Sequence, residues 1–396
     1  MALQSGLQPK TSAPGTAEEP PKSDDTVHAL VLTGSGFGAS SCYGIGVMKG
    51  LLQVGVKHNG GQVIDPQIYA GTVFSAFNIA IMASCKAGSN AATLDYLERL
   101  WLDEITGPDD LLTRMGLPRR NGVYRLRMDP RSFFDPRTLL RQPLKPFVDL
   151  ANDAGYLSSQ LLSRLGVLAK GDKPLSRRLL ELPNVSDFID TSPLEKLLEK
   201  HVDLHLLRSS GSELRIVATD WVNGEPAVFD QADLTYQQIL ASLAIFALFP
   251  RPIINGHPIA GGGIASPTPI QPAIDAALKL GAKKLVLHVV YLRPRLDNID
   301  PPEIPSTFDT FNRLTYLQMK GLELRTLRQG IHTGDRRKQP RDNLRITAHC
   351  YRPKKPLWDV LEVLDYSRDK AQQFMEQGLD DAINHDCEVE GCALDA

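Results

Sequence analysis

This sequence of 396 residues has few cysteines, no long apolar run and almost no net charge, and each shortage removes a class of protein. Its five cysteines, Cys42, Cys85, Cys350, Cys387 and Cys392, are odd in number and widely spaced, which fits neither a disulfide framework nor a four-ligand zinc module. No group of His, Cys and Asp has metal-ligand spacing along the chain, so no metal and no other cofactor is expected. A reducing compartment follows as the simpler reading, and with it a cytoplasmic location. The longest nearly apolar stretch, Tyr69–Cys85, is broken by Ser75 and Asn78 and falls short of a bilayer span, so membrane contact is expected to be peripheral at most. With 44 Lys and Arg against 46 Asp and Glu, the formal charge of -2 provides no global field for nucleic acid, and no nucleic-acid partner is expected. The local basic run Arg336-Arg337-Lys338 with Arg341 reads as a solvated loop. Met1–Asp25 is rich in Ser, Pro, Thr and acids, lacks the basic start and apolar run of a secretory signal, and reads as a disordered tail.

The rest is ordinary core-forming material, 42% hydrophobic and 23% charged. His28–Leu32 is a short apolar run stopped by Thr33-Gly34-Ser35-Gly36-Phe37-Gly38, and from Gly44 to Val54 the apolar residues recur at helical spacing. A second strand, turn and helix follow at Ile64–Gly71 and Ala76–Ala83. Two such units predict an α/β fold with a mostly parallel sheet and helices on its faces. Nine prolines between Asp103 and Leu204 predict an irregular helix-rich cap. Further strands are expected at Leu214–Thr219, Lys284–Tyr291 and Leu344–Tyr351, with a two-residue hairpin turn at Asn223-Gly224 and a second hairpin around Asn255-Gly256. Helices are expected over Tyr236–Ala247, Pro272–Leu280, Thr310–Arg328 and Ser367–Asn384. We therefore divide the chain into a tail (1–26), a core (27–294) with an insertion at 103–204, a helical extension packed on the core (295–385) and a short acidic tail (386–396).

A strand running through a glycine-rich turn into a helix aims backbone N–H groups at one point, suiting either a pyrophosphate or the oxyanion of acyl transfer. The spacing Gly34-x-Gly36-x-Gly38 does not match the dinucleotide fingerprint. The second unit, Ala70-Gly71-Thr72-Val73-Phe74-Ser75-Ala76, has the setting of a nucleophile elbow, where a hydrolase carries Gly-x-Ser-x-Gly. From here the chain resembles the patatin-like phospholipase (lipid acyl hydrolase) family. The likeness runs from His28 to about Val290 through Trp101-Leu102-Asp103, Asp190-Thr191-Ser192-Pro193-Leu194, Ala218-Thr219-Asp220, Ala241-Ser242 with Phe249-Pro250, and Gly262-Gly263-Ile264-Ala265-Ser266-Pro267-Thr268-Pro269.

The resemblance implies a three-layer α/β fold with a helix-rich cap and a Ser-Asp dyad, the serine attacking an ester and the aspartate acting as its base. Residue by residue, the serine position is Val73 and the aspartate position is Gly261. The oxyanion loop, equivalent to Gly34, Ser35, Gly36, Phe37 and Gly38, lacks the family's arginine. Neither Val nor Gly offers a nucleophile or a proton acceptor, so the chain reads as a pseudoenzyme that binds an unknown protein partner or a lipid or acyl ligand, the latter in a pocket lined by Val73 and Phe74. Two alternatives stand beside it. One is an active lipid acyl hydrolase with a substitute nucleophile, Ser75 or Cys42; His257 reads as a turn residue, and Asp190 and Asp220 as caps. The other is a structural subunit, possible as a homo-oligomer, built on the apolar residues Phe311, Leu314, Leu317, Met319, Leu322 and Leu324.

Overall fold

The computed structural model describes residues 26–34, 38–85, 88–107, 121–127, 129, 142–169, 185–246, 248–295, 344–357 and 364–392, with single helical positions between 310 and 325. The 1–25 tail, the basic run at 336–341 and much of the insertion lie outside those residues. β1 (Thr26–Leu32) leads through the glycine loop to α1 (Cys42–Lys49), which continues as a wider π turn over Gly50–Val54. β2 (Ile68–Thr72) runs into α2 (Phe74–Ser84), and α3 (Asn90–Leu100) follows with Ser89 capping its N-terminus. β3 (Arg125–Leu126) and β4 (Ile189–Asp190) form a separate two-stranded pair. The remaining strands, β5 (Glu213–Asp220), β6 (Pro226–Asp230), β7 (Ile253–Ile254), β8 (His257–Gly261), β9 (Lys284–Val290) and β10 (Arg345–Tyr351), join β1 and β2 in one eight-stranded sheet. Its order is β10-β9-β1-β2-β5-β8-β7, with β6 also on β5.

Strands β10, β9, β1, β2 and β5 are parallel, and their near-continuous apolar sequences reflect burial on both faces. Period-two alternation sorts the side chains. Leu30, Leu32 and Tyr69 meet α1, α2 and α3, while Ala29, Val31, Ile68, Ala70, Leu287 and Val289 meet the helix Ile270–Lys279 on the other face.

The registers fix where the candidate site must lie. β2 pairs with Glu213–Val217 of β5 and ends at Thr72, whereas β6 pairs with Arg215–Thr219 and so occupies the opposite edge of β5. β8 pairs with Ala218–Asp220, overlapping β6, and therefore takes the β2 edge just beyond the end of β2. Gly261, the last residue of β8, is thereby placed past the carboxyl end of β2, where the turn at Val73 begins.

The two hairpins divide on turn chemistry. Asn255 (φ 53°) and Gly256 (φ 81°) form the two-residue turn with both central residues at positive φ. Asn223-Gly224 belongs instead to a four-residue loop, Trp221–Gly224: Asp220 N–H donates to Glu225 O and Gly224 N–H to Asp220 O. The Asp220 carboxylate accepts the Val222 N–H at 2.8 Å, which stabilises the longer turn. The helix expected to reach Ala247 covers Tyr236–Leu243, opened by a Thr235/Gln238 capping box and ended where Ala244 O accepts the Gly261 N–H.

The C-terminal region is more than a helical extension. β10 completes the sheet edge, and the helix Arg368–Ile383 lies against α1. That crossing depends on absent side chains: a Cβ at Gly46 would stand 1.9 Å from Met375 O, and one at Gly378 would stand 2.1 Å from Tyr43 O. Residues 386–392, expected as a tail, include a helical turn over Cys387–Glu390 capped by Asp386. Because the obstructing atoms are backbone, Gly378→Ala is expected to force the helices apart and lower stability by about 1–3 kcal/mol, measured by urea denaturation against wild type.

Candidate functional site

β2 is buried at all five positions, and the chain leaves it through a sharp turn at Val73, where φ is 57° and ψ is -140°. Positive φ in a β-branched residue costs on the order of 1–3 kcal/mol and persists only where the surroundings hold it. Here they do so through hydrogen bonds. Val73 N–H donates to Ser242 Oγ at 3.1 Å, Ser242 Oγ donates to Val217 O at 2.7 Å, and Ala76 N–H returns to Val73 O. Such a strained strand-to-helix turn is the backbone of a nucleophile elbow. The side chain on it is an isopropyl group.

Val73 is 1% exposed, enclosed by backbone from two loops. A Cβ at Gly34 would meet Val73 Cγ2 at 3.0 Å and Gly263 Cα at 3.4 Å, and one at Gly263 would meet the same Cγ2 at 3.5 Å. The glycine loop, the Gly261-Gly262-Gly263 loop and the turn thus close on one methyl group. Gly261 donates its N–H to Ala244 O, its carbonyl accepts from Thr219 Oγ1 at 3.0 Å, and an added Cβ would lie 2.9 Å from Ala244 O. In the glycine loop the Gly34 N–H is committed to Pro267 O at 2.8 Å, and Gly38 adopts φ 56°. Ser35, Gly36 and Phe37 lie outside the described residues.

Phe74 opens α2 and points into an aromatic cluster, edge-on to Trp101 at 6.3 Å and to Tyr366 at 5.8 Å between ring centroids. Trp101 Nε1 donates to Asn78 Oδ1 at 2.8 Å, which satisfies the cluster's buried indole. Phe74 is also 1% exposed, so both side chains expected to line an acyl pocket are buried.

The two candidate substitute nucleophiles are engaged elsewhere. Ser75 is buried and its hydroxyl donates to Thr33 O at 2.9 Å. Cys42 is fully buried, and burial, reinforced by the Glu98 carboxylate, pushes its thiol well above the ordinary range. His257 lies next to the Asn255-Gly256 turn, its Nδ1 2.6 Å from Asp220 Oδ2, an exposed pair away from the buried turn. Asp190 accepts from the Ser192 N–H and hydroxyl at the start of the helix Ser192–His201 and receives Arg125 Nε at 2.6 Å. Leu314 and Leu317 are exposed, while Phe311 and Leu324 lie outside the described residues.

A mostly parallel α/β sheet with a strained turn at the carboxyl end of a central strand is a framework on which hydrolases place a nucleophile, though the fold alone does not assign the activity. Residues 32–274, more than half of the chain, match the family model described as Patatin-like phospholipase, and the protein belongs to that family. Among solved structures it is similar to VipD from Legionella pneumophila, at 15% identity and TM-score 0.31 over 88% of this chain and 66% of that one. It is likewise similar to the type III effector protein ExoU, at 14% identity and TM-score 0.29 over 91% of this chain and 52% of that one. The chain therefore spans just under two-thirds of the first and about half of the second. No curated protein sequence matches it.

Reading along the chain misses one cluster. His349, His385, Cys387 and Cys392 place their donor atoms within 4.8 Å of one another; Cys387 and Cys392, with four residues between them, are the spacing in the sequence that could have pointed to them. The fold thus brings together four side chains of metal-ligating type that the sequence reading does not group. The full set is hidden because His349 belongs to β10 and the other three follow the last long helix, so only strand pairing and helix docking bring them together.

Two substitutions test the packing at the turn. Phe74→Ala is expected to destabilise by about 3–5 kcal/mol, since a large buried ring leaves a cavity among fixed neighbours. Val73→Gly should change stability by less than about 1 kcal/mol, because relief of a strain of about 1–3 kcal/mol offsets the loss of a similar amount of apolar burial. Chemical denaturation of both variants reads the difference.

Proposed function

We infer that this chain is a patatin-like pseudoenzyme, without hydrolase activity, that acts in the cytoplasm by binding a protein partner through its surface. The observation that carries this reading is Val73, held on the strained turn with its side chain closed between Gly34 and Gly263. Gly261 has no group to accept a proton, and Ser75 and Cys42 are buried and held in structural roles, which supports the loss of chemistry and not its relocation. The tight packing of Val73 and Phe74 favours a protein partner over an acyl chain in that pocket.

A surface suited to such a partner lies beside β8. Trp221 and Phe246 stack at 5.2 Å, Arg251 lies 5.1 Å over the Trp221 ring, and Val222 and Ile253 are exposed nearby in sequence. Trp and Arg flanked by apolar side chains are the residue types that dominate binding energy in protein interfaces.

The test is turnover by the full chain on nitrophenyl esters of graded acyl length and on phospholipid vesicles, with labelling by a fluorophosphonate. We expect neither turnover nor label. Turnover that disappears in Ser75→Ala or Cys42→Ala overturns this reading in favour of an active hydrolase, and saturable binding of a fluorescent fatty acid moves it to an acyl-binding protein. The double variant Val73→Ser with Gly261→Asp is expected to remain inactive in the same assays, because a side chain at 261 collides with Ala244 O and the Gly34 N–H is already bonded to Pro267 O.

A further inference from the structure

We propose that His349, His385, Cys387 and Cys392 bind one zinc ion tetrahedrally and thereby fasten the C-terminal segment to the edge of the sheet. The donor set is the first argument. Two thiols and two imidazoles form the Cys2His2 combination that selects zinc over hard, oxygen-seeking cations.

Geometry is the second. Cys387 Sγ lies 3.5 Å from His349 Nδ1 and 3.6 Å from His385 Nε2, and Cys392 Sγ lies 3.2 Å from His385 Nε2. Zinc–sulfur bonds of about 2.3 Å and zinc–nitrogen bonds of about 2.0–2.1 Å arranged tetrahedrally give sulfur–nitrogen edges of roughly 3.5 Å. Ordinary hydrogen bonding does not require four such donors to converge. All five cysteines are free thiols, so none of these sulfurs is tied up in a disulfide.

Local structure delivers the ligands. His385 follows the end of the helix Arg368–Ile383. Asp386 then caps the turn Cys387–Glu390 by accepting from the Glu388 and Val389 N–H groups, and Gly391 (φ 70°) reverses the chain so that Cys392 comes back beside Cys387. His349 projects from β10, and the Cys350 N–H of that strand donates to Cys392 Sγ at 3.2 Å, which orients the sulfur beside the other donors. The His58 ring stacks on His349 at 4.0 Å and helps to exclude water. His349 and His385 are buried. Four protein ligands leave no open position for substrate, so the site is structural rather than catalytic. Binding converts two thiols and two neutral imidazoles into a neutral complex with the dication, and the two thiol protons leave to solvent.

The test uses the full chain, purified in a phosphine reductant with any affinity tag removed, and reads metal content by plasma mass spectrometry. We expect about one zinc per chain, falling at least tenfold in Cys387→Ser and in Cys392→Ser but retained in Cys85→Ser. Because a ligand variant that misfolds would also lose metal, the wild-type chain is stripped and titrated with cobalt(II). Saturation at one equivalent, with intense tetrahedral d–d bands and thiolate-to-cobalt charge transfer, supports the site independently of any variant. A folded wild-type chain with less than a tenth of an equivalent of zinc overturns the proposal. So does a weak octahedral cobalt spectrum without thiolate bands.

Discussion

The structure is organised around the left-handed turn at Val73. A parallel strand buried on both faces must hand over to a buried helix within one residue, and positive φ is what allows it. The strain is distributed to neighbours. Ser242 ties the turn to β5, and glycines at 34 and 263 let two loops approach where any side chain would intrude. In a hydrolase the same strain presents a nucleophile. Here the backbone remains while the projecting atoms are methyls, so the turn supports packing of the carboxyl ends of the strands. Stability elsewhere offsets its cost.

Much of this was legible in the sequence because it rests on local patterns. The apolar runs of β1, β2, β5 and β9, each bounded by glycine or polar residues, identify a buried parallel sheet without reference to tertiary contacts. The registers show why Val73 and Gly261 lie near one another: β8 pairs with β5 just past the end of β2. The commitments of Ser75 and Cys42 are less visible. Whether a hydroxyl caps, donates to Thr33 O or faces solvent depends on a strand 42 residues away.

Turn geometry and convergent ligands were hidden for a related reason. The same Asn-Gly dipeptide makes a two-residue turn at 255–256 and part of a four-residue loop at 223–224, and the difference lies in the Asp220 carboxylate bonded to Val222 N–H. Likewise His349 meets His385, Cys387 and Cys392 only after β10 has joined β9 and the last long helix has docked on α1. Spacing rules can pick out the three that share one segment, but not His349 on a distant strand.

The placement of β1 has a consequence for how the chain is made. One edge of β1 pairs with β2, about 40 residues on, while the other pairs with β9 from Thr26 through Leu32, a partner more than 250 residues later. β9 in turn is flanked by β10, near the end of the chain. On the ribosome the first strand therefore emerges long before its second neighbour exists, exposing an apolar edge throughout most of synthesis. Pairing across so long a separation raises the contact order, which slows folding, and β1 completes its place in the sheet only once β9 is available.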